Sequence, residues 1–249
     1  ATRNWHADRA GGCRMMRMLA CVVALGFAGM ADAACRQALA LGLDVSGSVD
    51  AREYRLQING LAAALNNVAG RDAVLSAPGV PVSVMVYEWS GPSDQAVIAP
   101  WTAIVDAATL NGFIETLLKT ARRDVSPGTA LGTAMILGGQ YLDQQPDCWK
   151  RTLDISGDGM SNLGPRPRDV KDAIGARGIT VNALVIGADA GAAPQPENGG
   201  LPSYFRAEVI TGPDAFVETA LGFDDYEAAM TRKLLRELEM LAVSELVSD

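Results

Sequence analysis

The chain has 249 residues, of which 49% are hydrophobic and 20% are charged, and its formal net charge is −8. This composition allows one large domain or two small ones, and it excludes the disordered, collagen-like and disulfide-dense classes of protein. The acidic balance argues against nucleic acid as a partner, because an acidic surface repels phosphate backbones.

The first predicted element, over residues 1–33, is an upstream segment followed by a secretory signal peptide that begins near Met15 or Met16. Arg14 and Arg17 precede an uncharged apolar run, and the small residues "ADA" follow at the positions that a signal peptidase reads. The run is shorter than the roughly 20 residues of a membrane-spanning helix; a membrane anchor or a buried helix is the alternative. We predict cleavage after Ala33, one domain over residues 34–249 without a membrane span, and an extracytoplasmic location, either periplasmic or secreted.

The predicted mature chain contains no histidine. His6 is the only histidine of the sequence, and it lies in the segment that cleavage removes. Ser-His-Asp and Cys-His catalysis are therefore excluded, and so are histidine ligands to a metal.

Strand-like and helix-like segments alternate through the predicted domain. The apolar run at 37–44 predicts a strand, and the spacing of apolar residues after it predicts a helix over 51–70, with a capping box formed by Asp50 and Glu53. Further strands are predicted at 80–90, 95–101, 151–159, 179–187 and 214–220, and further helices at 105–123, 129–145, 167–178, 204–210 and 224–241. The alternation predicts an α/β fold: a doubly wound, mostly parallel central sheet with helices on both faces.

Polar side chains cluster where predicted strands end. Asp44, Ser46 and Ser48 follow the first strand, Asp158 follows the strand at 151–159, and Thr129 opens a helix on the same rim. Sheets of this kind bind ligands at the carboxyl ends of their strands, where the strand order reverses. Carboxylates and hydroxyls without nitrogen or sulfur suit a hard cation such as Mg²⁺, which keeps several waters and leaves room for an outside ligand.

These five residues, in this order, resemble the metal-ion-dependent adhesion site (MIDAS) of von Willebrand factor A-type domains: Asp-x-Ser-x-Ser, then a Thr, then an Asp. The similarity covers nearly all of the predicted domain. The ending "VITGPDAFVETALGFDDYEAAMTRKLLREL" also resembles a bacterial secreted subgroup of unassigned function.

The resemblance implies a division of roles within the site. Ser46, Ser48 and Thr129 would bind Mg²⁺ directly, with Mn²⁺ as the alternative ion, and Asp44 and Asp158 would hold it through water. An Asp or Glu of a protein partner would complete the coordination. The implied function is a protein-binding, adhesion-type module without enzyme activity.

Alternative roles remain open for several of these positions. Ser46 and Ser48 are also suited to capping the helix that follows them. Thr133 lies one helical turn after Thr129 and is a rival to it as a ligand.

Three further features have both a structural and a functional interpretation. Asp154 is either a supporting carboxylate behind the site or a strand residue bonded to the backbone. Asn162 is more typical of a turn than of a ligand. The segment 188–203 is either a specificity loop or a solvated connector.

Two other functions compete with the binding module. One is a phosphatase-like, metal-dependent hydrolase with Asp44 as nucleophile, which requires additional His or Asp ligands for two metals and a phosphate-binding lysine. The predicted mature chain has no histidine, and "DVSGS" contains neither a second acid adjacent to Asp44 nor such a lysine. The other is a structural domain with a vacant site.

Cys35 and Cys148 are predicted to form a disulfide. They are the only cysteines that remain after removal of Cys13 and Cys21, and an exported protein meets an oxidising compartment. In the strand order that the resemblance implies, the first and fourth strands are parallel neighbours. The two cysteines lie almost equally far upstream of the two site aspartates, so they would meet at the amino end of the sheet.

Overall fold

The structure, a computed structural model, describes residues 35–77, 79–187 and 200–245, with side chains described as far as residue 238. The predicted signal peptide lies outside the described residues, and the domain boundary after residue 33 remains a prediction. None of the described helices is long and apolar enough to cross a membrane.

Strands and helices alternate along the described chain, as the sequence predicts. The strands are β1 (Cys35–Asp44), β2 (Val82–Trp89), β3 (Gln95–Ile104), β4 (Cys148–Gly157), β5 (Ile179–Ile186) and β6 (Val217–Ala220). The helices are α1 (Ala51–Asn66), α2 (Val68–Leu75), α3 (Ala107–Lys119), α4 (Leu131–Leu142), α5 (Pro167–Gly175), α6 (Gly200–Glu208) and α7 (Tyr226–Glu245).

The strands form one sheet in the order β3-β2-β1-β4-β5-β6. Only β3 runs antiparallel, paired with β2, and the other neighbours are parallel. The chain winds outward from β1 to β3 and then returns to β4 on the other side of β1, so strand order reverses between β1 and β4. The α/β class and the doubly wound sheet are confirmed, and the crevice at the carboxyl ends of β1 and β4 is where such sheets bind ligands.

Hydrophobic layers cover both faces of the sheet because β1 alternates its side chains between them. Leu39, Leu41 and Leu43 pack with α1, α2, α3 and α7, whereas Ala38 and Ala40 pack with α4, α5 and α6. All five side chains are buried. The helices therefore hold β1 in the centre of the molecule with its carboxyl end at the rim.

The clearest departure from the predicted elements lies in the first helix. The sequence predicts one helix over 51–70, but α1 ends at Asn66 and α2 begins at Val68. Asn67 adopts an extended conformation, and its side chain accepts the Gly70 N–H, so it is the N-cap of α2. The predicted capping box of Asp50 and Glu53 at the start of α1 is confirmed.

The predicted disulfide between Cys35 and Cys148 is present. The two residues are paired in the parallel register of β1 and β4, and their Cα atoms are 4.3 Å apart. They lie at the amino ends of these strands, whereas Asp44 lies at the carboxyl end of β1. The bridge therefore joins the central strands at the end of the sheet opposite the candidate site.

Candidate metal centre

The segment after β1 turns sharply and points its polar groups back towards the strand end. Asp44 Oδ1 accepts a hydrogen bond from Ser46 N at 2.8 Å, and Val49 N donates to Ser46 O at 3.0 Å. Gln57 of α1 donates through Nε2 to Asp44 O at 3.0 Å. The strand end, the turn and the helix that follows are thus connected, which fixes the directions of the Asp44 and Ser46 side chains.

Asp158, which follows β4, meets the serine hydroxyls of this turn. Ser48 Oγ donates a hydrogen bond to Asp158 Oδ1 at 2.7 Å, and the Oγ atoms of Ser46 and Ser48 are 3.2 Å apart. Ser46 is fully buried and Ser48 is exposed. The fold therefore brings three predicted site oxygens together across the β1–β4 crevice and leaves one side of the group open to solvent.

Asp44 is a buried carboxylate whose charge is poorly compensated within the protein. It is fully buried, and its Oδ2 has no hydrogen-bond partner. A Cβ built on Gly157 of β4 would lie 3.4 Å from this oxygen. Burial, together with the negative charge of Asp158, raises the pKa of Asp44 to about 7, although hydrogen bonds from Ser46 and from the Asp158 backbone oppose the shift.

Backbone hydrogen bonds of the loop before α4 place Thr129 at the same edge of the sheet. Gly47 N donates to Pro127 O at 3.1 Å, which joins the loop before α4 to the turn after β1. Ala130 N donates to Ser90 O, at the end of β2, at 2.7 Å. Thr129 itself is buried between these two contacts. It is thus linked to the other predicted ligands by backbone contacts, whereas Ser46, Ser48 and Asp158 are joined by their side chains.

Asn162 holds Thr129 in place, a role that its turn-forming character alone did not indicate. Thr129 N donates to Asn162 Oδ1, and Asn162 N donates to Thr129 O, both at 2.9 Å. The rival ligand Thr133 lies further along α4. Its hydroxyl is close to Gly164, since a Cβ built on that glycine would lie 2.8 Å from it. The loop after β4 therefore positions Thr129 as well as Asp158.

Asp154 takes neither of the two roles that the sequence suggested. Its Oδ1 lies 2.8 Å from Lys233 Nζ of α7, and both side chains are buried. It is therefore paired with a buried lysine inside the sheet–helix layer.

The donor set at the β1–β4 crevice fits a hard cation. Within the described part of the chain, no three His, Cys, Asp or Glu side chains form a group that could hold a metal by themselves. The crevice instead combines two carboxylates with serine hydroxyls, and oxygen donors of this kind are those that Mg²⁺ uses. A cation beside Asp44 and Asp158 would offset the uncompensated negative charge, which is costly to bury.

Replacing Gly47 with alanine is expected to weaken binding of Mg²⁺ about 10-fold or more, as changes that disturb the support of metal ligands do. The new Cβ would lie 2.6 Å from Pro127 Cβ and 3.2 Å from Pro127 O. The turn after β1 and the loop before α4 would have to separate, and the hydroxyls that they carry would separate with them. Titration calorimetry of the variant with Mg²⁺ measures the loss.

Gly159→Ala is the matched control for this substitution. Gly159 follows Asp158 directly, yet no atom lies within 4 Å of a Cβ built there. Its Mg²⁺ affinity is expected to equal that of the parent protein. Equal affinities in both glycine variants would show that the contact between the two loops does not organise the site.

The fold resembles solved von Willebrand A structures at low sequence identity. Proximal thread matrix protein 1 from the mussel byssus, in its second crystal form, has a TM-score of 0.59 and 17% identity, over 84% of this chain and 48% of that one. A further structure of the same protein, with a zinc-occupied MIDAS motif, has a TM-score of 0.52 and 17% identity, over the same shares of the two chains.

Two bacterial structures show the same fold. A von Willebrand factor type A protein from Catenulispora acidiphila has a TM-score of 0.54 and 17% identity, over 84% of this chain and 42% of that one. The pilus adhesin SpaC from Lactobacillus rhamnosus GG, in its open conformation, has a TM-score of 0.58 and 14% identity, over 82% of this chain and 30% of the adhesin. The chain thus spans less than half the length of the solved proteins that it resembles.

No curated protein matches the chain significantly in sequence. A family model does match it, over residues 34–242, and this model is described as "Protein of unknown function (DUF1194)". The match includes every described strand and all but the last residues of α7. The chain therefore has the von Willebrand A fold and belongs to the DUF1194 family.

Proposed function

We propose that the protein is an extracytoplasmic, metal-dependent protein-binding module of the adhesion type. The observation that carries this proposal is the convergence of Ser46, Ser48 and Asp158 beside the buried, unpartnered Oδ2 of Asp44. These groups lie at the point where strand order reverses, and one side of the group faces solvent. An ion held there would be accessible to a partner.

The protein's own residues have distinct roles in this proposal. The hydroxyls of Ser46, Ser48 and Thr129 bind Mg²⁺ or Mn²⁺, while the carboxylates of Asp44 and Asp158 hold the ion's water molecules. Bound in this way, the ion supplies an electropositive position for a carboxylate of the partner. Asn162 fixes the Thr129 backbone, and the Gly47–Pro127 contact keeps the two hydroxyl-bearing loops together.

Two further observations support the metal and the location. The mussel protein with the same fold holds zinc in its MIDAS motif, so this fold accommodates a divalent ion. The Cys35–Cys148 disulfide suits an oxidising, extracytoplasmic compartment. The SpaC structure belongs to a pilus adhesin, which is consistent with a role in protein recognition outside the cytoplasm.

A binding role explains the site better than hydrolysis does. The only histidine of the sequence is His6, which lies outside the described residues. Asp44 is fully buried, so a nucleophilic attack by its carboxylate would require a substrate to reach beneath the serine turn. The solvent-facing groups are instead Ser48 and Asp158, which suit an ion presented to a partner.

The first test is calorimetric titration of the purified protein with Mg²⁺ and Mn²⁺. One ion is expected to bind per chain, and chelation is expected to reverse the binding. The immobilised protein should then retain a partner from envelope extracts in the presence of Mg²⁺ and release it on addition of chelator, whereas the Asp44→Ala variant retains none. Phosphatase assays on a generic aryl phosphate are expected to remain at background.

Each alternative function predicts a different result. If neither ion at millimolar concentration gave a heat of binding, the proposed metal site would be wrong. Retention of the partner in chelator would favour a structural domain, and phosphate release that disappears in Asp44→Ala would favour a hydrolase.

A further inference from the structure

A second group of ionisable residues lies inside the molecule, between the sheet and α7. Lys233 Nζ is 2.8 Å from Asp154 Oδ1 of β4 and 2.7 Å from Glu237 Oε1, one helical turn further along α7. The three side chains are at most 1% exposed. Asn182 of β5 donates through Nδ2 to Glu237 Oε1 at 2.6 Å. An amine and two carboxyl groups are therefore held in contact, away from solvent.

The group is not satisfied as a set of ions. Both carboxyl oxygens of Asp154 and Oε2 of Glu237 are buried without a hydrogen-bond partner, so the 2.8 Å contact of Lys233 with Asp154 Oδ1 is an ion pair without hydrogen-bond geometry. The ring of Phe216 lies 4.9 Å from Lys233 Nζ, a cation–π distance, so the amine contacts an aromatic ring as well as the two carboxyl groups. Lys150, half-buried at the edge of the group, reaches only the Glu237 carbonyl oxygen, at 3.4 Å. Burial of these ionised groups carries a large desolvation cost, which the contacts recover only in part because three carboxyl oxygens lack a hydrogen bond.

We propose that Lys233 and Asp154 are a site of covalent self-modification and become joined by an isopeptide bond, with Glu237 carrying the proton. The bond would link the centre of β4 to α7. It is independent of the metal site, because neither residue contacts Ser46, Ser48 or Asp158.

The reaction is a condensation that needs no reagent from outside. Lys233 Nζ gives a proton to Glu237 and attacks the Asp154 side-chain carbon, so that a C–N bond forms. A C–O bond of the carboxyl group then breaks, and the departing oxygen leaves as water with the protons taken from the amine. An ammonium and a carboxylate become one neutral amide and one water, and Glu237 ends in its original state.

The fold favours this step by bringing the reacting groups and a proton acceptor together. The amine and the carboxyl group are held in contact on two packed elements, so the reaction is intramolecular and the entropy cost of bringing its partners together is already met by folding. Glu237 lies within hydrogen-bond distance of the reacting nitrogen, as a general base must. Burial raises the pKa of Asp154 to about 7 against the opposing charge of Lys233, which brings its protonated form within reach at neutral pH. Burial alone would lower the pKa of Lys233, but the charges of Asp154 and Glu237 raise it, so the amine is protonated at rest and its attack requires the proton transfer to Glu237.

The product removes two of the three buried charges and leaves the Glu237 carboxylate. One of the Asp154 oxygens departs as water. The new amide N–H takes the place of the ammonium beside Glu237 Oε1, so Glu237 keeps a donor from nitrogen 233 in addition to Asn182.

The test is tryptic peptide mapping of the purified, denatured protein by mass spectrometry. Trypsin does not cleave after an acylated lysine, so the bond would give residues 152–168 joined to residues 233–236. This species should be about 18 Da lighter than the two peptides together, the mass of one water, as a covalent modification of this kind requires. Free 152–168 together with cleavage after Lys233 would overturn the proposal and leave an ion pair.

After the parent protein has been mapped, substitutions identify the side chains that form the bond. Lys233→Arg keeps the positive charge but removes the primary amine, and it is expected to abolish the linked species. Lys150→Arg is the matched control and should leave it unchanged. Glu237→Gln should lower the linked fraction at least severalfold, and an undiminished fraction would exclude Glu237 as the proton carrier.

Discussion

Replacing Asp44 with alanine is expected to weaken binding of Mg²⁺ and Mn²⁺ by about 100-fold, at the upper end of the effect of removing a supporting carboxylate from a metal site. The Asp44 Oδ2 atom is the buried, unpartnered oxygen of the site, and Oδ1 directs the Ser46 backbone. The substitution therefore removes a negative charge and also the hydrogen bond that holds the backbone of Ser46. Calorimetric titration of parent and variant measures the change.

The fold itself is expected to survive this substitution. Burial raises the pKa of Asp44, which means that the ionised carboxylate is disfavoured in the folded protein without a cation. The melting temperature of the metal-free variant should stay within about 4 °C of the parent, which corresponds to about 1 kcal/mol for a domain of this size. Added Mg²⁺ should raise the melting temperature of the parent alone, because an ion stabilises only a state that binds it.

Asp172→Ala serves as the control for loss of one negative charge. Asp172 is an exposed residue of α5, on the surface of the molecule. Its removal should leave the Mg²⁺ affinity unchanged. If Asp172→Ala weakened binding as much as Asp44→Ala, a general electrostatic effect would replace the site as the explanation.

The placement of the candidate site residues could be predicted because they follow strand ends in a recognisable order. Asp44, Ser46 and Ser48 alternate directly after an apolar run, and such a run fixes which end of the sheet they occupy. The role of Asn162 was missed for a physical reason. An asparagine after a strand satisfies the pattern of a turn, and only the fold shows that the backbone it holds belongs to Thr129.

The contacts of Asp154 were beyond prediction for the same kind of reason. A lone carboxylate between Leu153 and Ile155 signals a buried charge, but the signal does not name its partner. The sequence around Lys233, "RKLLREL", is typical of a solvent-exposed helix position. The lysine is buried only because α7 packs against β4 and β5. The break at Asn67 is a further case, because apolar spacing continues across it and the local hydrogen bond to Gly70 decides the outcome.

Removing the disulfide is expected to destabilise the protein by about 4–5 kcal/mol on the chain-entropy model, since its two cysteines are 113 positions apart in the sequence. For a domain of this size the corresponding fall in melting temperature is about 10–15 °C. The double variant Cys35→Ala/Cys148→Ala avoids a free thiol, and thermal melting beside the parent protein measures the change.

The same double variant tests whether the two ends of the sheet act independently. The bridge joins β1 and β4 at their amino ends, while Asp44 and Asp158 lie at and beyond their carboxyl ends, with seven further register pairs between the strands. Those pairs keep the strands aligned without the bridge, so the Mg²⁺ affinity of the folded variant should stay within about twofold of the parent, as expected for separate sites without shared partners. A loss of affinity alongside the loss of stability would mean that the bridge also sets the spacing of the β1–β4 crevice. Unchanged stability would mean that the strand pairing alone already holds this end of the sheet together.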